Sequence, residues 1–232
     1  MFLLYYFPNN ASLAPHLLLK ELGASYELAL VDRSSNAQKS SEYLRLNPLG
    51  RIPTLVDKTG PNDVVIFESA AICIHLCESM PPSGLIPLVG DSKRPSFLQW
   101  MLFLTNTLQA ELMLYFYPGR HLLECSCDMD TEGSSGGCQN CTEGLKKTQE
   151  TRVSQMLQTL DNHLESSGGY MLGTEVSACD FYLFMLALWT DKFSKPAVNY
   201  HHLGGMLRKI ASRDAVREVC GIEEIDLSSL CP

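Results

Sequence analysis

The stretch FLLYYF at residues 2–7 is an unbroken apolar, aromatic-rich run. Such a run fits a strand buried on both faces, the kind found in sheets that carry helices. Pro8, Asn9 and Asn10 cut it short. Ser12 follows as a candidate N-cap, with Pro15 in the first helical turn, where a missing N–H costs little. The helical segment LAPHLLLKEL stops at Gly23, a C-terminal signal, and a second short strand is expected at 26–31. A strand, a helix of about ten residues and another strand imply a parallel pair with a right-handed crossover. A polar stretch and a short helical piece, EYLRL, come next. Strands at 54–56 and 64–67, separated by the turn KTGPND, are close enough to form an antiparallel hairpin. A helix opening at Glu68 and Ser69 ends before Pro81 and Pro82. The expected order is β-α-β-α-β-β-α.

Residues 83–95 turn to Pro, Gly and Ser and read as a linker, after which no strand pattern appears. Phe97, Trp100, Met101, Leu104, Leu108, Leu112 and Tyr115 recur at three- and four-residue spacing and predict one long amphipathic helix. Further helices are expected at 143–164, at 180–193, which is apolar nearly all round, and at 203–211 and 214–220. The chain therefore divides into an α/β unit at 1–82, a linker at 83–95 and an all-α unit at 96–232. The last carries an insertion near 122–144 rich in Gly, Ser and Cys.

Hydrophobic residues make up 45% and charged residues 19%, enough apolar surface for packed cores. The net charge of -8 speaks against general nucleic-acid binding, which needs a basic face to displace counterions, and against docking on anionic lipid. Gln99, Asn106, Gln109 and Glu111 interrupt the greasiest segment, so no membrane span is expected. The N-terminal run lacks a basic flank and reads as a strand, not a signal peptide, which points to a cytoplasmic protein. Nine cysteines, an odd number, with several inside apolar helical patterns, read as reduced thiols.

The chemistry concentrates in two motifs, NPLGRIPTLVD and IFESAAICIHL. Pro53 follows Ile52 at the entry to a strand and is a candidate cis peptide. A kink there presents the N–H and C=O of Ile52 to an extended ligand, as a sheet edge does. Glu68 and Ser69 stand at a helix start, where free N–H groups favour a carboxylate. Ser69 can donate to that carboxylate and Glu68 can accept from an ammonium, which together suit a free amino-acid head group. The plainer alternative is a turn plus a capping box. Cys73 and Cys77 lie four apart in an apolar pattern and read as buried structural thiols. His16, His75, His201 and His202 share no ligand-like spacing and read as structural.

In combination, YYFPNNASLAPH, LRLNPLGRIPTLVD, FESAAICIHL and the late SACDFYLF resemble the glutathione transferase family, closest to bacterial beta-like members. The resemblance spans nearly the whole chain. It implies a thioredoxin-like glutathione-binding domain, an all-helical domain supplying an acceptor pocket, and a homodimer. The family's cis-proline matches Pro53, its backbone clamp Ile52, and its γ-glutamyl receptor Glu68 and Ser69. Gln38 and Lys39 stand where relatives often hold the glycine carboxylate, and Arg51 could serve the same end, the alternative being a solvated arginine. The family's Ser-x-x-Asp capping box matches Ser177 and Asp180. The implied activity is activation of the glutathione thiolate for attack on a small hydrophobic electrophile. The alternatives are a glutathione- or partner-binding module without turnover, or a glutathione-dependent disulfide reductase or isomerase.

Beta-type relatives place a cysteine where this chain has Ala11, so no mixed disulfide with glutathione can form in that loop. Ser12 and Asn10 remain as catalytic candidates, each able to donate to a thiolate; Tyr5 and Tyr6 alternate across a strand, so only one can face the site. Trp100, Thr105, Leu108, Glu111 and Tyr115 are candidates to line the acceptor pocket, although most of that stripe must be interhelical core. The insertion adds Cys125, Cys127, Cys138 and Cys141, two close pairs in the ligand arrangement of a Cys₄ zinc knuckle, with His121 near enough to replace one ligand. Incidental thiols and two disulfides are the alternatives there.

Overall fold

A computed structural model describes residues 1–80, 83–120 and 139–230. Four strands, β1 (Phe2–Tyr6), β2 (Tyr26–Leu30), β3 (Thr54–Asp57) and β4 (Val64–Phe67), form one mixed sheet in the order β2-β1-β3-β4. The β1–β2 pair is parallel, joined through α1 (Leu13–Glu21) as the crossover. β3 runs antiparallel to both β1 and β4. α2 (Ser41–Leu46) follows a single 3₁₀ turn at Ala37–Lys39, and α3 (Ser69–Ser79) follows β4.

Register decides where chemistry can gather. Tyr5 pairs with Thr54, and Thr54 with Phe67. The C-terminal ends of β1, β2 and β4 therefore meet the N-terminal end of β3 along one edge of the sheet. The segments 8–12, 37–39, 51–53 and 68–69 all emerge at that edge.

The rest is helical. α4 (Arg94–Leu102) continues through a π-helical segment (Phe103–Gln109) into α5 (Ala110–Phe116), then come α6 (Gln139–Ser167), α7 (Ala178–Leu188), α8 (His201–Ala211) and α9 (Asp214–Ile222). Every residue from 178 to 187 is buried, so α7 is the core of this half, and α1 packs directly against α3, α7 and α9. The capping box of α7 is present: the Asp180 carboxylate accepts from the N–H (2.8 Å) and hydroxyl (2.7 Å) of Ser177, and from the N–H of Met171 (2.8 Å). Burial nevertheless pushes the Asp180 carboxyl up to about 6 against the pull of these donors.

Three expectations shift. The helix predicted over 97–115 is interrupted by the π-helical turn, where the Thr105 hydroxyl bonds back to the carbonyls of Met101 (3.1 Å) and Leu102 (3.3 Å). The helix predicted over 180–193 stops at Leu188, because the buried Thr190 hydroxyl takes the carbonyl of Ala187 (2.7 Å) and accepts from the Ala197 N–H (2.9 Å). α6 extends beyond 143–164 at both ends.

Candidate functional site

The loop after β1 is built on Ser12. Its fully buried hydroxyl donates to the Phe7 carbonyl (3.0 Å) and accepts from the Phe7 N–H (3.2 Å), and it makes no helix-capping bond. Its one proton is thus committed inside the loop. Asn10, half-buried, accepts the Ala11 N–H on Oδ1 (2.7 Å). That bond fixes the amide orientation and leaves the Nδ2 group as the outward end. Among the described residues Nδ2 donates to no protein acceptor.

A second layer holds this loop from behind. Asn9 adopts a positive φ of 50°, a conformation Asn tolerates better than most residues. Its N–H donates to Oε2 of Glu223 (3.0 Å), while Oε1 of the same carboxylate meets His16 Nδ1 at 2.7 Å. His16 Nε2 in turn reaches the Tyr26 hydroxyl (3.2 Å). The side chains of His16 and Glu223 are wholly buried. The C-terminal end of α9 is therefore tied to the first turn of α1 and to the loop that carries Asn10. The sequence marked His16 as a satisfied structural histidine, which it is, but gave no sign of Glu223.

The Ile52-Pro53 peptide is cis, as expected. Tyr43 and Asn47 anchor the segment before it: the Tyr43 hydroxyl donates to the Arg51 carbonyl (2.7 Å), as does Asn47 Nδ2 (2.8 Å), and Tyr43 also meets the Thr54 hydroxyl (2.9 Å). Neither partner was singled out in the sequence. Among the described residues no hydrogen bond engages the N–H or C=O of Ile52. Gly50, at φ 58°, lets the 3₁₀ turn close on this loop; a Cβ there would stand 2.8 Å from the Gln38 carbonyl oxygen and 3.0 Å from Lys39 Nζ. Gln38 and Lys39 thereby lie beside Gly50, next to the exposed Arg51, and the Gln38 Oε1 is buried without a partner.

At the start of α3, Glu68 takes φ 74° and its side chain makes no capping bond, so the capping-box alternative does not hold. Its carboxylate is exposed and in no ion pair among the described residues. Ser69 is buried, its hydroxyl beside that of Tyr182 on α7. Burial drives the Tyr182 phenol far above its ordinary pKa, so it stays a neutral donor, bonding Gln109 Oε1 at 2.6 Å.

The side chains suggested for the acceptor pocket are turned into the helical half. Trp100 packs on His163 (centroids 4.2 Å apart), Tyr115 on Phe193 (4.7 Å), Glu111 pairs with Arg152, and Leu108 is fully buried. Cys125, Cys127, Cys138 and His121 lie outside the described residues, and Cys141 stands in the first turn of α6. Among the described residues, no group of three or more His, Cys, Asp or Glu side chains is placed to hold a metal ion. Nor is any described helix long and apolar enough to cross a membrane.

A mixed sheet with a cis-proline, a helix N-terminus and a β1 loop at one edge, joined to an all-helical half, is the architecture of the two-domain glutathione transferases. Residues 2–78 match the model for the glutathione S-transferase N-terminal domain, and residues 138–219 that for the C-terminal domain. The chain belongs to the glutathione S-transferase family of enzymes. It is 24% identical over 221 residues to glutathione S-transferase GstA of Escherichia coli O157:H7, covering 95% of this chain and 98% of that one. Over 73 residues it is 48% identical to glutathione S-transferase 1 of Schizosaccharomyces pombe, 32% of this chain and 31% of the relative. A sphingomonad glutathione S-transferase solved in complex with glutathione superposes with a TM-score of 0.76 at 26% identity, covering 97% of this chain and 100% of that structure.

Proposed function

We propose that this protein binds glutathione along the sheet edge, ionises its thiol and transfers it to a small hydrophobic electrophile. Glu68 accepts from the γ-glutamyl ammonium. Ser69 and the first N–H groups of α3 donate to the neighbouring carboxylate, where the helix dipole adds to them. The N–H and C=O of Ile52 pair with the cysteinyl unit in the manner of an added strand. Lys39, Arg51 and Gln38 hold the glycine carboxylate. Asn10 Nδ2 donates to the sulfur; each unit by which it lowers the thiol pKa corresponds to about 1.4 kcal/mol of preference for the thiolate. The thiolate attacks the electrophilic carbon, a carbon–sulfur bond forms, and the displaced group leaves with its electron pair. Ser12 is assigned to loop structure, since its proton is already donated to Phe7.

The observation that carries the proposal is the gathering, at one edge, of groups left without partners among the described residues: the Ile52 N–H and C=O, the Glu68 carboxylate and the Asn10 Nδ2 group. We further propose a cytoplasmic homodimer. Leu98 (38% exposed) and Leu102 (54%), four residues apart on the outer face of α4, support an association surface.

Calorimetric titration of glutathione tests the placement. Losing a hydrogen bond to a charged group costs about 1.5–3 kcal/mol, so Glu68→Ala and Ser69→Ala each weaken binding by about ten- to a hundredfold. Wild-type affinity in both variants overturns the assignment.

A further inference from the structure

We infer that the acceptor of this enzyme carries a carboxylate, held between Arg33 and Arg120 beside Tyr117, where the two halves of the chain meet. The inference rests on the transferase reading and adds the substrate class.

Arg33 follows β2 and Tyr117 caps α5, so their contact crosses between the two halves of the molecule. Arg33 Nη2 donates to the Tyr117 hydroxyl oxygen at 3.1 Å. The same guanidinium stands over the Phe7 ring, 5.5 Å from its centroid. Phe7 directly follows β1, and its backbone is the one clamped by Ser12. Arg33 thus lies against the root of the loop that presents Asn10. Arg120 stacks on the ring of the same tyrosine, 3.9 Å from its centroid. Two guanidinium groups therefore share one tyrosine where the segments after β1 and β2 meet the end of α5.

Neither cation has a carboxylate partner among the described residues, although the chain has a net charge of -8. Arg94, Arg152, Arg213 and Arg217 each do. Both guanidinium groups are exposed, and an anion seated between them is drawn by both charges at once. Arginine suits the task. Its planar fork offers several N–H donors and Arg33 uses one on Tyr117, leaving donors that match the two oxygens of a carboxylate.

Matched acceptors test this: a halogenated dinitrobenzene and the same ring bearing a carboxylate, each assayed at saturating glutathione. The readout is the ratio of kcat/KM for the carboxylated over the neutral acceptor. We expect the wild-type ratio, after correction for the intrinsic reactivity of each acceptor, to exceed one by about tenfold or more. It falls by about ten- to a hundredfold in Arg33→Gln and in Arg120→Gln, with KM carrying the change. Calorimetry with the two corresponding S-aryl glutathione conjugates gives the same comparison without turnover. A wild-type enzyme that uses the neutral acceptor but shows no preference in either assay overturns the inference and leaves the transferase reading intact. A change confined to glutathione affinity also overturns it, because the arginines then serve the tripeptide. If wild-type protein binds no glutathione, the transferase reading falls and this inference with it.

Discussion

Replacing Glu223 by alanine removes the acceptor that joins α9 to the β1 loop. The carboxylate is wholly buried and meets two groups far away in sequence, His16 at 2.7 Å and the Asn9 N–H at 3.0 Å. Removing it leaves two groups, the His16 ring and the Asn9 N–H, without their acceptor, at about 1–3 kcal/mol each. For a chain of this size each kcal/mol shifts the melting temperature by about 2–4 °C, so the loss should be about 4–24 °C. Glu223→Gln keeps the shape. Its amide oxygen accepts from Asn9 and its NH₂ donates to His16, so it should recover most of that loss. The function should respond separately from stability. Well below the melting temperature, Glu223→Ala should lower kcat, because the loop behind Asn10 has lost its brace. Glutathione affinity should move less, since the charged ends of the tripeptide bind elsewhere. Thermal unfolding and steady-state kinetics on both variants make the test. If Glu223→Ala melts within about 2 °C of the wild type, the pair does not hold the loop and the reasoning fails.

Asp57 and the buried thiols give further tests. Burial pushes the Asp57 carboxyl up, but hydrogen bonds from Thr59 and His75 outweigh it and hold the group below its ordinary 3.8. A depressed folded pKa stabilises above the unfolded value and loses that contribution as pH falls through the folded one. Asp57→Asn should therefore cost stability at pH 7, and the gap to wild type should close in acid below about pH 4; a gap independent of pH in denaturant melts contradicts this. Burial pushes the thiols of Cys77 and Cys220 up to about 12, and those of Cys73 and Cys179 well above the ordinary value. Native protein treated with a thiol reagent at pH 8 should show no labelling at these four positions until it is unfolded. Rapid modification of Cys73 or Cys77 in peptide maps of native protein would show that the packing around α3 is wrong.

The sequence made most of the sheet edge legible because its signals are local. A continuous apolar run marks β1, Pro-Asn-Asn its end, Ile-Pro the kink, and Ser177 with Asp180 the start of α7. What it hid depends on contacts between distant segments. Glu223 is an ordinary acid in a C-terminal stretch until the fold brings it to His16. Arg33 and Tyr117 meet only because the two halves pack together. Ser12 illustrates the same limit in reverse. Its type and position fit a thiolate donor equally well, and only the Phe7 contacts show where its proton goes. Thr190 ended a helix inside an apolar run, since a buried hydroxyl there competes for a helical carbonyl.

The pKa of the bound glutathione thiol, followed by thiolate absorbance across pH, tests the central claim most directly. In wild-type protein it should lie well below that of free glutathione. Asn10→Ala should raise it by about one unit or more while calorimetric affinity for the tripeptide changes little. Ser12→Ala should lower the melting temperature, because the Phe7 N–H and C=O lose their partner, yet leave the thiol pKa of the folded enzyme in place. A pKa that rises in Ser12→Ala and stays put in Asn10→Ala would contradict the account and move the thiolate donor to the serine.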